Sequence, residues 1–319
     1  MYLAPDGHEV EIAEAAAAFV AQALPIARLH TPGSADLGQA ARQRFAEMGW
    51  FALAVPESGG GSGLSAVEHA LFFREAGRQC GPVDLLAQCL AANLTGDADI
   101  VSGARGVALL VADGEAWRLL GAADSALALL VTPDEALLYP LADATTTSRP
   151  ALDPANSLAV VSALPDPVER LAGDHIWQLG ELGTAAMLLG VAEAALDLIV
   201  DYAKIRETFG RKIGSWQAVR HPCADVAVRI EAARAQLWYA AAATKEGRAD
   251  AATHLDVAKH LANSAALAAT DTTIQLHGGI GVTEEHDAHL LLKHALVLSR
   301  LFGAKRALLG RVLHAGLED

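Results

Sequence analysis

Apolar residues recur at three- and four-residue spacing through Thr184 to Arg206, Gln217 to Lys245, Ala252 to Leu276 and Glu284 to His314. That period is one face of an α-helix, and four long helices in succession predict an antiparallel up-down bundle. Pro222 is tolerable only near the start of its helix. The same spacing runs through Glu11 to Leu24 and Leu37 to Met48, so residues from about 8 to 100 also read as helical. Ser58 to Gly63 is rich in glycine and predicts a loop. Ser65 with Glu68 forms a capping-box pattern at the head of a helix from Ala66 to Gly77.

Between about 104 and 165 the period changes. Gly106–Val111, Ser125–Val131, Ala136–Leu141 and Leu158–Val161 are short apolar runs, punctuated by Asp113-Gly114 and Thr132-Pro133-Asp134. They predict a small sheet or partial barrel. The chain therefore divides into an N-terminal helical domain (1–103), a reduced β domain (104–170) and a C-terminal four-helix bundle (171–319). Its fold class is mainly α with a small β region.

The chain has 319 residues, 52% of them hydrophobic, with a formal net charge of −14. It is long enough for a large core, and its acidity argues against a nucleic-acid partner. Cys80, Cys89 and Cys223 are an odd number without a CxxC pair, which predicts a reducing, cytoplasmic setting and no cysteine-held metal. No signal peptide is read at the N-terminus. Mean hydropathy is +0.27, yet no run of about twenty residues is free of polar groups, so no membrane span is expected.

Two stretches carry candidate chemistry. Arg206-Glu207-Thr208-Phe209-Gly210-Arg211-Lys212-Ile213-Gly214-Ser215-Trp216-Gln217 follows one helical pattern, and Gln275-Leu276-His277-Gly278-Gly279-Ile280-Gly281 ends another. A guanidinium can bind a diphosphate through two parallel hydrogen bonds. Thr208, Gln217 and Gln275 add neutral donors, and Gly278 and Gly279 let a ligand approach the backbone. His277 reads as a packing or backbone-bonding histidine.

In this order, these motifs resemble the acyl-CoA dehydrogenase family of flavoenzymes, as do Gly49-Trp50, Val55-Pro56-Glu57 and Gly59-Gly60. The resemblance covers most of the chain and is strongest in the bundle. It implies an FAD cofactor whose diphosphate half is gripped by Arg206, Thr208, Phe209, Gln217, Gln275, Gly278 and Gly279, toward a flavin seated mainly on a neighbouring subunit. It also implies an acyl-CoA substrate and an electron-transfer flavoprotein as acceptor.

The family's reaction needs a carboxylate beside the α carbon of an acyl thioester. Where many members carry that Glu, before a Gly-Thr pair, this chain has Leu301-Phe302-Gly303-Ala304, so Phe302 takes the Glu position. Other members carry the Glu near the start of the first bundle helix. There the ungapped alignment places Gly180, and Glu181 fits only with a one-residue shift. A Glu at a helix start is also a favourable charge for the macrodipole. The Thr-Glu-Pro loop and the Lys-x-Trp-Ile-Thr segment that seat the flavin ring in the family are missing between Ala104 and Pro167, where Trp117 is the sole tryptophan.

The chain thus resembles the degenerate member of bacterial two-chain (α2β2) acyl-CoA dehydrogenases, several of which act on steroid side chains. It is expected to lend the diphosphate clamp to a partner that holds the flavin ring and the catalytic Glu. Two other readings stand beside this one. The first is a self-sufficient homomer using Glu181 as base. The second is a structural subunit that binds no flavin.

Overall fold

The computed structural model describes residues 5–31, 37–57, 60–114 and 116–315. The N-terminal region is helical: α1 (Gly7–Ala23), α2 (Gln39–Glu47), α3 (Ala66–Arg78), α4 (Val83–Thr95) and the short α5 (Ala98–Val101). Asp6 and Glu9 cap α1 reciprocally, and Ser65 and Glu68 cap α3 as their spacing predicts. Each box satisfies amide groups that a helix start leaves bare. The glycine-rich loop after Glu57 lies partly outside the described residues, which omit Ser58 and Gly59.

The middle of the chain is a seven-stranded sheet ordered β5-β6-β2-β1-β3-β4-β7. The strands are β1 (Val107–Asp113), β2 (Ala116–Leu120), β3 (Leu127–Val131), β4 (Glu135–Pro140), β5 (Thr145–Arg149), β6 (Leu158–Ala163) and β7 (Glu169–Ala172). β1 and β3 are parallel; the other neighbours are antiparallel. Val107, Leu109, Leu127, Leu129 and Leu138 join the helical core. Ala108, Leu110, Ala128, Leu130 and Leu137 build a second, smaller core on the other face. With both faces apolar, the strands appear as unbroken hydrophobic runs. β5 and β7 are exposed along their length, so no apolar run announces them. β2 had no bounding signal beyond the Asp113-Gly114 turn.

The C-terminal region holds α6 (His175–Ile205), β8 (Glu207–Thr208), β9 (Arg211–Lys212), α7 (Gln217–Lys245), α8 (Ala251–His277), α9 (Ala288–Leu298) and α10 (Lys305–His314). Pro222 falls in the second turn of α7. α6 is the central helix, buried on most of its circumference. It crosses α3 so closely that a Cβ on Gly77 would lie 2.0 Å from the Met187 carbonyl oxygen. α6 has the length and hydropathy of a membrane span, but 72% of that window is packed inside the molecule. The stretch Gly7–His30 meets the same measure with 17% buried.

The fourth bundle helix differs from its expected course. In place of one helix over Glu284 to His314 there are two, separated at Ser299–Ala304. Phe302 adopts φ +50° and Gly303 φ +116°. Both angles lie outside helical space, so the chain turns at the segment where the family's Glu-Gly-Thr is expected.

Candidate functional site

The first locus is the shared end of α6 and α8. α6 stops because Arg206 turns extended (ψ 133°), while its amide still bonds the Tyr202 carbonyl. Glu207–Lys212 then folds into a two-residue hairpin, Glu207 opposite Lys212 and Thr208 opposite Arg211. The tip residues Phe209 and Gly210 both have positive φ, 52° and 72°, the backbone that a tight hairpin twist requires. Phe209 is left 94% exposed. The Lys212–Glu207 ion pair spans 2.7 Å, and the Arg211 guanidinium lies 5.3 Å from the Trp216 ring. Gln217 begins α7.

On the neighbouring helix, α8 ends at His277, and Gly278 takes φ 68°, ψ −143°, a region essentially reserved for glycine. His277 is buried with its Nδ1 2.7 Å from the Thr273 carbonyl oxygen, the packing and backbone-bonding role expected of it. Burial lowers its pKa. Its ring stacks on Tyr202 and contacts His286, both at 4.4 Å between centroids. The Tyr202–His277 stack sets the Arg206 hairpin and the Gly278-Gly279 loop side by side.

Arg206, Thr208, Phe209, Gln217, Gln275, Gly278 and Gly279 all face solvent. The polar side chains of Arg206, Thr208, Gln217 and Gln275 have no partner among the described residues. A Cβ on Gly278 or Gly279 would meet nothing within 4 Å. One cation, three uncommitted donors and an open glycine backbone on one face suit a diphosphate-bearing dinucleotide.

The second locus is a cleft of about 210 Å3 between the sheet and the bundle. β1 (Leu109–Ala112) and β3 (Leu130, Val131) form one wall; Trp177, Leu301, Phe302 and Gly303 form the other. Phe302 is only 6% exposed, and its ring lies 5.4 Å from that of Trp177. It also rests against Gly180: a Cβ there would fall 2.1 Å from the ring. The two positions at which the resemblance leads one to expect a base, 302 and 180, are thus neighbours in space.

Glu181 is buried (2% exposed) and does not line the cleft. The Trp177 indole N–H donates to its carboxylate at 3.1 Å, and Arg311 donates to the other oxygen at 3.2 Å. Arg311 is committed chiefly to Asp256, through Nε bonds of 2.9 and 3.0 Å. Burial, then the Asp256 charge, push the Glu181 carboxyl up to about 8. Nearby, the fully buried Lys259 donates to Asn263 and to the Leu298 carbonyl, and burial pushes it down to about 7. This is an ion network between α6, α8 and α10. Nothing in the local sequence of Trp177, Lys259 or Arg311 announces it, because its members come from distant helices.

Trp117 sits on β2 with its partners Ala112 and Val161 and packs on the smaller core, the sheet face turned from the helices. The three cysteines are free, and no group of metal-ligating side chains occurs among the described residues.

Models of the acyl-CoA dehydrogenase N-terminal and C-terminal domains match residues 6–99 and 178–316. The chain is 35% identical over 305 residues to acyl-CoA dehydrogenase FadE34 of Mycobacterium tuberculosis, covering 88% of this chain and 42% of that protein. It therefore spans less than half the length of that relative. It is 35% identical over 283 residues to acyl-CoA dehydrogenase IpdE2 of Mycobacterium tuberculosis, covering 83% of each. Among solved structures it superposes on a variant of the Tcur3481–Tcur3483 steroid ACAD with a TM-score of 0.80 at 26% identity, over 96% of this chain and 97% of the other.

Proposed function

The chain belongs to the acyl-CoA dehydrogenase family, and from that premise we propose that it works as the degenerate subunit of a two-chain acyl-CoA dehydrogenase. The family's members bind FAD, which when bound supplies the hydride acceptor. In this reading, Arg206, Thr208, Gln217, Gln275 and the Gly278-Gly279 backbone hold the diphosphate half of an FAD whose ring sits on the partner. Phe209 packs beside it. The partner provides the ring seat and the carboxylate that takes the α proton of an acyl-CoA thioester. A steroid-derived acyl group is the substrate class suggested by the Tcur3481–Tcur3483 steroid ACAD, whose paired name also fits two unlike chains. An electron-transfer flavoprotein would reoxidise the assembly, in the cytoplasm.

The observation that carries the reading is the contrast between the two loci. The clamp face keeps its donors uncommitted, whereas the cleft has Phe302 packed on Gly180 where a base is needed. Phenyl carbon accepts no proton. The self-sufficient alternative requires Glu181 to reach substrate, but its carboxylate is held by Trp177 and Arg311.

The test is to express the chain alone and together with a neighbouring dehydrogenase gene. Flavin absorbance and acyl-CoA oxidation with an artificial acceptor are then measured. Flavin and activity are expected only in the two-chain preparation. A yellow, active chain on its own overturns the proposal, and a colourless complex favours the structural-subunit reading.

A further inference from the structure

The ion network beside Trp177 does more than stabilise three helices. Trp177 is half-buried, lines the cleft and touches Phe302. Its indole N–H is tied to Glu181, and the Arg311 guanidinium lies 5.6 Å from its ring centroid. Arg311 is in turn anchored on Asp256 of α8. The indole is therefore held at its edge by the Glu181 carboxyl group and on its face by a cation. Phe302 is fixed independently by the left-handed turn at its own φ and by the absence of a Cβ on Gly180. The cleft lined by Trp177 and Phe302 holds about 210 Å3, below the range of roughly 300–1,000 Å3 common for ligand pockets, whereas the adjoining cavity between the sheet and α9, lined by neither ring, holds about 360 Å3.

We infer that Trp177 and Phe302 form an aromatic plug that closes this chain's cleft to acyl groups, and that Arg311, braced by Asp256 and Glu181, is the positioning residue that keeps Trp177 in place. The plug is a specificity determinant by exclusion: the acyl thioester is turned away from this chain and left to the partner. The inference rests on the reading of the cleft as the family's acyl site. It adds a cause, steric closure, to the loss of the base.

Octanoyl-CoA and free CoA are titrated by calorimetry into the full chain and into its Phe302→Ala and Trp177→Ala variants, each first checked for a cooperative melt. The wild-type chain is expected not to distinguish the two ligands. An opened variant is expected to bind octanoyl-CoA at least about tenfold more tightly than free CoA, the gain from burying roughly two methylenes. If one variant fails to fold, the other decides. A wild-type chain that prefers octanoyl-CoA by that factor, or opened variants that gain no preference, overturns the plug.

For Arg311 the readout is acrylamide quenching of Trp177, isolated by subtraction of a Trp177→Phe chain. Arg311→Ala is expected to raise the quenching and shift the emission to the red, with Arg311→Lys restoring part of the difference. Unchanged quenching in Arg311→Ala removes the positioning role. Failure of these tests leaves the clamp reading intact, because that reading is decided by flavin retention in the complex.

Discussion

The Phe302 ring occupies the space in front of Gly180, with 2.1 Å between its nearest carbon and the point where a Cβ on residue 180 would stand. The pair links two segments 122 positions apart in sequence, one in the second turn of α6 and one in the break between α9 and α10. Neither residue can change alone without cost, because interiors are close-packed and a ring in contact with backbone has nowhere to go.

Gly180→Ala should therefore destabilise the chain by about 1–3 kcal/mol, the usual cost of overpacking a core. Phe302→Ala, which empties the same space, should suppress most of that increment in the double variant. Denaturant midpoints of the four proteins check this. Additive effects would show that the ring moves aside freely.

Arg206→Ala should lower flavin retention by the two-chain complex by roughly tenfold or more, the worth of charge-assisted hydrogen bonds to a diphosphate. Folding should be nearly unaffected, since the Arg206 side chain is exposed and makes no bond within the described chain. Flavin content after gel filtration, with a thermal melt beside it, separates the two effects. Unchanged flavin content would remove Arg206 from the clamp.

The Glu181 carboxyl, raised from its ordinary 4.5 to about 8 by burial and by Asp256, makes stability depend on pH. As pH rises from about 5 toward 7, the unfolded chain gives up this proton while the folded chain keeps it. Folding is thus favoured least at the upper end of that range. Glu181→Gln cannot ionise, so its melting temperature should fall less than the wild type's between about pH 5 and about pH 7. Lys259, lowered to about 7, acts in the opposite sense: its folded form sheds a proton that the unfolded form keeps, so stability recovers as pH rises above that value. Parallel melting curves for wild type and Glu181→Gln would remove Glu181 from the pH dependence.

His30 joins the N-terminal region to the loop that follows the glycine pair. Its ring lies 2.7 Å from an Asp287 carboxylate oxygen and 2.9 Å from the Glu284 carbonyl. The Asp287 bond raises its pKa above the ordinary 6.5. Because the folded pKa is raised, the contact contributes fully below about 6.5 and is lost as pH climbs through the higher folded value. Hydrogen exchange of residues 278–287, corrected for intrinsic rates, should be faster at about pH 8 than at about pH 6. In Asp287→Asn that difference should largely disappear. A pH effect of equal size in the variant would show that His30 does not hold the loop.

Much of the architecture could be read from the chain because helices announce themselves locally. The Ser65–Glu68 capping box, the full extent of α7 and most of α6 and α8 follow from spacing within each segment. The stretches Arg206 to Gln217 and Gln275 to Gly279 were legible as compact motifs, whereas the hairpin and the glycine turn that they form needed the structure. The break in the last helix was not legible, since Ser299 to Ala304 keeps an apolar pattern. At the break Phe302 and Gly303 take positive φ and the Phe302 ring packs on Gly180, 122 positions away. The exposed strands β5 and β7 were invisible because hydrogen bonds to a neighbouring strand, rather than burial, define them.

The amino-acid sequence by itself determined the mainly helical class, the order of helices, sheet and bundle, and the absence of a carboxylate at Phe302. Those properties follow from residue type and short-range periodicity, which any single segment carries. Only the tertiary structure decided that Gly180 and Phe302 meet, that Tyr202 stacks on His277, and that the Arg311 guanidinium lies against the Trp177 ring. These contacts join residues far apart along the chain. Their free energy exists only once the helices have packed, because it comes from close packing and from pairing polar groups that burial has stripped of water.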